Sequence, residues 1–306
     1  MQPVERIAVI GAGAMGSVYA AKFFEMDKTC ISVVAKGERY ERLRAQGLIV
    51  NDKHYALPVI GVQEKTPPSD LILVAVKHHH LPEAIQDMTN RIGDHTVILS
   101  VMNGIESEEQ IGAVYGMDKV LYAVAVGIDA LRRENRTTYS TQGKLYFGEA
   151  ENHQLSDRVT QIQSLFDRAG LVHETPEDMI RILWWKFMIN VGTNQTAAVL
   201  RAPFAVLQTS QEARELMESA MREVMAIAEA KNVHLSQEDL DNWFSVLSGL
   251  SPEGRPSMLQ DVEAKRKTEV EMFAGKMIQL GKALDIPVPV NEAFFRIIKV
   301  IEEYYD

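Results

Sequence analysis

The 306-residue chain reads as an α/β domain over residues 1–175 followed by an all-α domain over residues 176–306. Three observations predict this. The length exceeds what one hydrophobic core usually serves. Through the first half, short apolar runs alternate with helical patterns, the mark of a parallel sheet covered on both faces. From about residue 176 the strand signals stop. Helical periodicity then continues, punctuated by Pro203, Pro252, Pro256, Pro287 and Pro289.

The first strand is residues 6–10 (RIAVI), a continuous apolar run. Gly11-Ala12-Gly13-Ala14-Met15-Gly16 follows at once and opens a helical pattern through Phe24. This is a G-x-G-x-x-G fingerprint in its required context, after a strand and before a helix. The first glycine permits the tight turn, the second lets backbone approach a pyrophosphate, and the third lets helix and strand pack closely. Free N–H groups at the helix start would then meet phosphate charge. The first domain is therefore expected to be of Rossmann type and to bind a nicotinamide dinucleotide.

A second strand, residues 31–35, decides which dinucleotide. An acidic residue at its end would bond the ribose 2′-hydroxyl of NAD. Here Lys36 stands first past the strand and Arg39 a turn later, which suits the 2′-phosphate of NADP. Glu38 lies between them, and the competing reading makes both cations solvated loop charges.

Residues 71–76 (LILVAV) form the next buried strand, with Lys77 at its carboxyl end. In open α/β sheets ligands bind outside that end, so Lys77 is placed to meet cofactor or substrate. His78-His79-His80 follows. Three consecutive histidines cannot converge on one point, so a loop or helix start is preferred over a metal site. Residues 96–101 are another strand, closed by Asn103-Gly104, whose amide can reach a ribose or a carboxylate if it does more than turn the chain. Residues 119–126 continue the sheet and residues 138–149 alternate as a hairpin-like edge. Residues 155–169 read as a helix and 171–178 as the connection to the second domain.

In the second half, helical patterns cover residues 180–200, 211–231, 237–247, 258–284 and 291–304. The central one, residues 183–200, is apolar nearly all round, which marks a buried helix. Yet Lys186, Asn190 and Asn194 recur at i, i+4 and i+8 and make one polar stripe. A buried ammonium and two buried amides are costly unless something bonds to them, and a bound substrate is the natural partner. Snorkelling of the lysine and pairing of the amides with another helix are the bland alternatives. Ser257 is placed as an N-cap of the helix over 258–284, and Glu269 lies on that helix.

A net charge of −10 argues against nucleic acid, which would want a basic face. No run approaches a membrane span, and the N-terminus lacks the layout of a signal peptide. Cys30, the single cysteine, cannot form an internal disulfide, which fits a reducing cytoplasm. It sits beside an apolar run and reads as packing. Partners are thus expected to be small molecules, and a homodimer is left open.

Over essentially its full length the chain resembles the ketopantoate reductase (2-dehydropantoate 2-reductase) family. The matching pieces are GAGAMG at 11–16, VAVK at 74–77, NG at 103–104, WKFMINVGTN at 185–194 and SMLQDVEAKRKTE at 257–269. The resemblance implies that Lys186 is the general acid and Glu269 its acidic partner. It implies that Asn190 and Asn194 hold the hydroxyl end of a 2-keto acid, that Ser257 holds its carboxylate, and that Asn103 and Lys77 bridge cofactor and substrate. The implied reaction is hydride transfer from NADPH to the C2 carbonyl of ketopantoate, giving (R)-pantoate in pantothenate and coenzyme A biosynthesis. One departure is Phe204 after Pro203, where some members carry asparagine. The alternatives are an NADP-dependent reductase of another 2-keto acid and a non-catalytic NADP-binding sensor.

Overall fold

The computed structural model describes residues 4–305. The chain divides into two compact units, one ending at Ile182 and the other starting at Leu183.

In the first unit, β1 (Ile7–Ile10), α1 (Ala14–Met26) and β2 (Ile31–Ala35) form the opening β-α-β, followed by α2 (Gly37–Gln46). Then come β3 (Leu48–Val50), β4 (Lys53–Tyr55), β5 (Val59–Gly61) and β6 (Leu71–Val74). A 3₁₀ turn over His78–His80 leads into α3 (Leu81–Asp87), β7 (Val97–Ser100), α4 (Ser107–Tyr115) and β8 (Val120–Val126). The unit closes with β9 (Leu131–Arg133), β10 (Arg136–Thr138), β11 (Lys144–Gly148), α5 (Asp157–Arg168) and β12 (His173–Glu174).

Eight strands make the main sheet in the order β12-β11-β8-β7-β6-β1-β2-β5. The run from β8 to β5 is parallel throughout, and β11 pairs antiparallel with β8. Residues of alternate parity bury on opposite faces. Ile7, Val9, Leu71, Leu73 and Leu99 enter one cluster, while Ala8, Ile10, Ile72, Val74 and Ile98 enter the other. That is why these strands read as continuous apolar runs instead of alternating ones. Cys30, leading into β2, is buried, and its thiol lies 3.1 Å from the Asp27 carbonyl.

Two expectations about the first unit need correction. Residues 138–149 are not one hairpin. Their first residue closes β10 in a separate four-stranded sheet, β4-β3-β10-β9, and their end is β11 in the main sheet. The corner between them is tied down by Asp129, whose carboxylate accepts from the backbone N–H of Ser140 (2.9 Å) and Thr141 (2.7 Å). Gly143 turns at a φ of +66° where a Cβ would strike the Val126 carbonyl. Within 171–178, read as a plain connection, lies β12, a two-residue parallel strand beside β11.

From Leu183 onward the second unit is helical. Its helices are α6 (Met179–Leu200, begun in the first unit), α7 (Phe204–Thr209), α8 (Gln211–Ala230), α9 (Gln237–Gly249), α10 (Ser257–Glu263), α11 (Lys276–Leu284) and α12 (Pro289–Glu303). The single helix expected over 258–284 is broken. After α10 the chain turns at Lys265 (φ +50°), and Arg266 bonds back to Asp261 through its N–H (2.8 Å) and its Nε (3.0 Å). Thr268 is then held by Glu302 of α12, which accepts from its N–H and its hydroxyl at 2.7 Å each. One π-helical turn, Glu271–Gly275, precedes α11. Nothing between 264 and 270 is a glycine or proline, so local propensity favours helix and tertiary bonds override it.

Candidate active site

Parallel β1, β6 and β7 are neighbours, so the loops beyond their carboxyl ends share one edge of the first unit. That edge carries the glycine loop, Lys77 and Asn103. Sheet order reverses between β1 and β6, since β2 continues on one side and β6 begins the other; ligands of open α/β sheets bind at such a switch point. Each glycine has a distinct reason. Gly11 has a φ of +96°, and a Cβ there would lie 2.6 Å from the Ala75 carbonyl oxygen. A Cβ on Gly16 would fall 1.9 Å from the Gly11 carbonyl oxygen, so only glycine lets α1 leave the loop this way. At Gly13 a Cβ would meet nothing nearer than 3.9 Å. Gly13 also caps α1 without a side-chain hydrogen bond, leaving a vacant approach to the free N–H groups at the helix start. A pyrophosphate fits such a cradle in both charge and space.

Lys77 follows β6 in extended conformation (φ −76°, ψ 151°) and is half-buried. Asn103 sits between β7 and α4, next to Gly104 at a φ of +97°. Its loop is bracketed by a buried polar chain: the Ser100 hydroxyl donates to that of Ser107 (2.7 Å), which donates to Glu108 (2.9 Å). Burial pushes the Glu108 carboxyl up to about 7. Lys36 is engaged by two carboxylates of α3, Glu83 at 2.7 Å and Asp87 at 2.6 Å, which hold its pKa above the usual lysine value. His78–His80 form the 3₁₀ turn, and among the described residues no group of histidine, cysteine and carboxylate side chains could hold a metal.

In the second unit, Leu183, Trp184, Phe187, Met188, Ile189 and Val191 of α6 are core residues. Asn190 and Asn194 are buried with them, and Lys186 is half-buried. Burial lowers the Lys186 ammonium to about 8. Asn194 donates to the Asn190 amide oxygen at 3.2 Å. Its own amide oxygen accepts from the Ser257 hydroxyl (3.0 Å) and the Met258 N–H (3.2 Å). Ser257 therefore does not cap α10. Pro256 holds the cap position, and the exposed Ser257 turns its hydroxyl to α6 instead. Glu269 is half-buried in the segment before the π-turn. Asn190, Asn194 and Ser257 are thus joined by hydrogen bonds, with Lys186 one helical turn before Asn190.

Two residues here were passed over by sequence reasoning. Arg132 of β9 donates from Nη1 to the Ala12 carbonyl and, at 3.0 Å, to the Ser17 hydroxyl. Nothing in its neighbourhood distinguishes it from Arg133 or Arg136, so no local signal could have found it. Gln195, fully buried, accepts from the Ala274 N–H of the π-turn (3.1 Å) and donates to Asn291 of α12 (3.1 Å). An amide directly after Asn194 on an apolar helix was the available clue.

Family models match both units: ketopantoate reductase PanE/ApbA over residues 7–152, and its C-terminal counterpart over residues 178–302. The chain belongs to the ketopantoate reductase PanE/ApbA family. Among relatives of this reductase, a 2-dehydropantoate 2-reductase of Mesorhizobium japonicum is 26% identical over 96% of the chain and 97% of its own length. One from Streptococcus pyogenes is 25% identical over 92% and 93%. The fold of the reductase also matches a solved D-mandelate dehydrogenase in complex with NADH. That match has a TM-score of 0.88 at 20% identity and covers 98% of this chain and all of the other. No helix among the reductase's described residues is long and apolar enough to cross a membrane.

Proposed function

We propose that this reductase converts 2-dehydropantoate to (R)-pantoate with NADPH, in the pathway to pantothenate and coenzyme A. Residues 1–175 bind the cofactor and residues 176–306 bind the substrate and carry the acid. The glycine loop supplies the pyrophosphate cradle, and Lys77 and Asn103 approach cofactor and substrate from the same sheet edge. When bound, the dinucleotide supplies a hydride to the C2 carbonyl carbon. Negative charge then gathers on the carbonyl oxygen. Lys186 stabilises that oxygen and delivers a proton to it from Nζ, and Glu269 acts as its acidic partner. Asn190 and Asn194 orient the hydroxyl end, and Ser257 binds the carboxylate.

The observation that carries this reading is the lysine held near pKa 8 at the head of the bonded file Asn190–Asn194–Ser257. A lysine so poised is a usable donor near neutrality, whereas a passive sensor has no need of one. The family's relatives named for 2-dehydropantoate support that keto acid over others. The test follows loss of nicotinamide absorbance on adding ketopantoate, with a panel of other 2-keto acids beside it. Lys186→Ala is expected to lower kcat by about 10²–10⁴-fold while NADPH still binds. Near-normal turnover in that variant would refute the assignment.

A further inference from the structure

We propose that Arg39, Arg42 and Arg132 form a phosphomonoester site beside the glycine loop, and that this trio, not Lys36, reads the ribose 2′-phosphate of the dinucleotide. The inference rests on the NADPH reading above and names the residues that make it selective.

Arg39, Arg42 and Gln46 fall at i, i+3 and i+7 on α2 and so share one face of that helix. The direction of this face is fixed at its far end, where the Asn135 amide donates to Gln46 at 3.5 Å. Asn135 lies in the turn between β9 and β10, and β9 carries Arg132. The Arg132 guanidinium is pinned in turn by the Ala12 carbonyl, the Ser17 hydroxyl (3.0 Å) and the Glu134 carbonyl (2.9 Å from Nε). The α2 face, the hairpin and the glycine loop therefore turn the three guanidinium groups toward one region of the first unit. Arg42 and Arg39 are close enough to help depress the Arg132 pKa, after burial itself.

Three like charges in a chain of net charge −10 are an unfavourable gathering unless an anion joins them. Among the described residues no carboxylate forms an ion pair with any of the three. Glu83 acts on Arg39 only at longer range and is itself bonded to Lys36. Glu38 lies at i−4 from Arg42, about 40° round α2, yet makes no ion pair with it, and Glu41 lies about 100° round the helix from Arg42. Lys36, the cation first past β2, is already neutralised by Glu83 and Asp87. A guanidinium presents planar paired donors that match a phosphate dianion, and among the described residues neither Arg39 nor Arg42 is held in an ion pair.

The test is titration of the full-length protein, without keto acid, with adenosine 2′,5′-bisphosphate and with 5′-AMP, following heat of binding. In the native protein the bisphosphate is expected to bind at least about tenfold tighter. Arg39→Ala/Arg42→Ala should abolish that preference, leave 5′-AMP affinity within about twofold, and keep the native melting temperature, since both side chains are exposed. Arg132→Lys should weaken the preference in the same direction. Lys36→Ala should leave it nearly intact. If the double variant keeps the preference while Lys36→Ala loses it, the trio is wrong and the NADPH reading stands. If the native protein does not distinguish the two nucleotides, the NADPH reading fails and the site with it.

Discussion

An ammonium held near pKa 8 inside a helix is a standing cost to the fold, and Lys186 makes the sign of that cost testable. At pH 7, below both that value and the ordinary lysine value of 10.5, the side chain is protonated folded or unfolded, and the folded state bears the whole desolvation penalty. Between the two values the native protein has released its proton while the unfolded chain keeps one, so stability from this group rises with pH. Activity runs the other way, because a proton donor is lost above about 8. We expect kcat for reduction to fall about tenfold per pH unit beyond that point. Lys186→Met should remove turnover yet stabilise the protein by roughly 1–3 kcal/mol. A rate that stays flat to pH 10, well past the value of about 8, would show that Lys186 is not the donor.

Between elements, the glycine loop separates folding from binding. Gly16→Ala would force a methyl to 1.9 Å from a carbonyl oxygen, so the expected result is a large loss of melting temperature. Gly13→Ala meets no atom nearer than 3.9 Å and should fold normally, while its methyl obstructs the approach to the helix start and weakens dinucleotide binding. Equal melting temperatures for the two variants would contradict this division. The first strand, the loop and α1 were legible in sequence because each imposes a local pattern. The stripe on α6 was legible because helical spacing alone aligns residues 186, 190 and 194. The break after α10 was not, for it depends on Glu302, more than thirty residues away, gripping Thr268. The small sheet was equally hidden. Its strands are three residues each, too short for alternation to show. Arg132 and the carboxylates that neutralise Lys36 reach their partners only through tertiary folding.

Across the whole molecule, the pH dependence of stability should carry the mark of one buried acid outside the proposed chemistry. Glu108 is 2% exposed, and burial raises its carboxyl to about 7 from the usual 4.5. Its contribution is fully present below 4.5 and is lost as pH rises through about 7, because over that range the unfolded chain gives up the proton that the desolvated native carboxyl still holds. Glu108→Gln should therefore flatten the fall in melting temperature between pH 5 and 8, and an unchanged profile would mean the carboxyl is already solvated. The two-unit layout itself was readable from the switch of hydrophobic period, since strand and helix demand different repeats all along the chain.

The lone thiol of this protein is buried between the end of α1 and the start of β2, and burial lifts Cys30 to about 11. A side chain so protonated and so enclosed is inert toward alkylating reagents while the fold stays shut. The rate at which an iodoacetamide adduct accumulates there consequently clocks the transient opening of the dinucleotide-binding half, with no second sulfhydryl elsewhere to blur the signal.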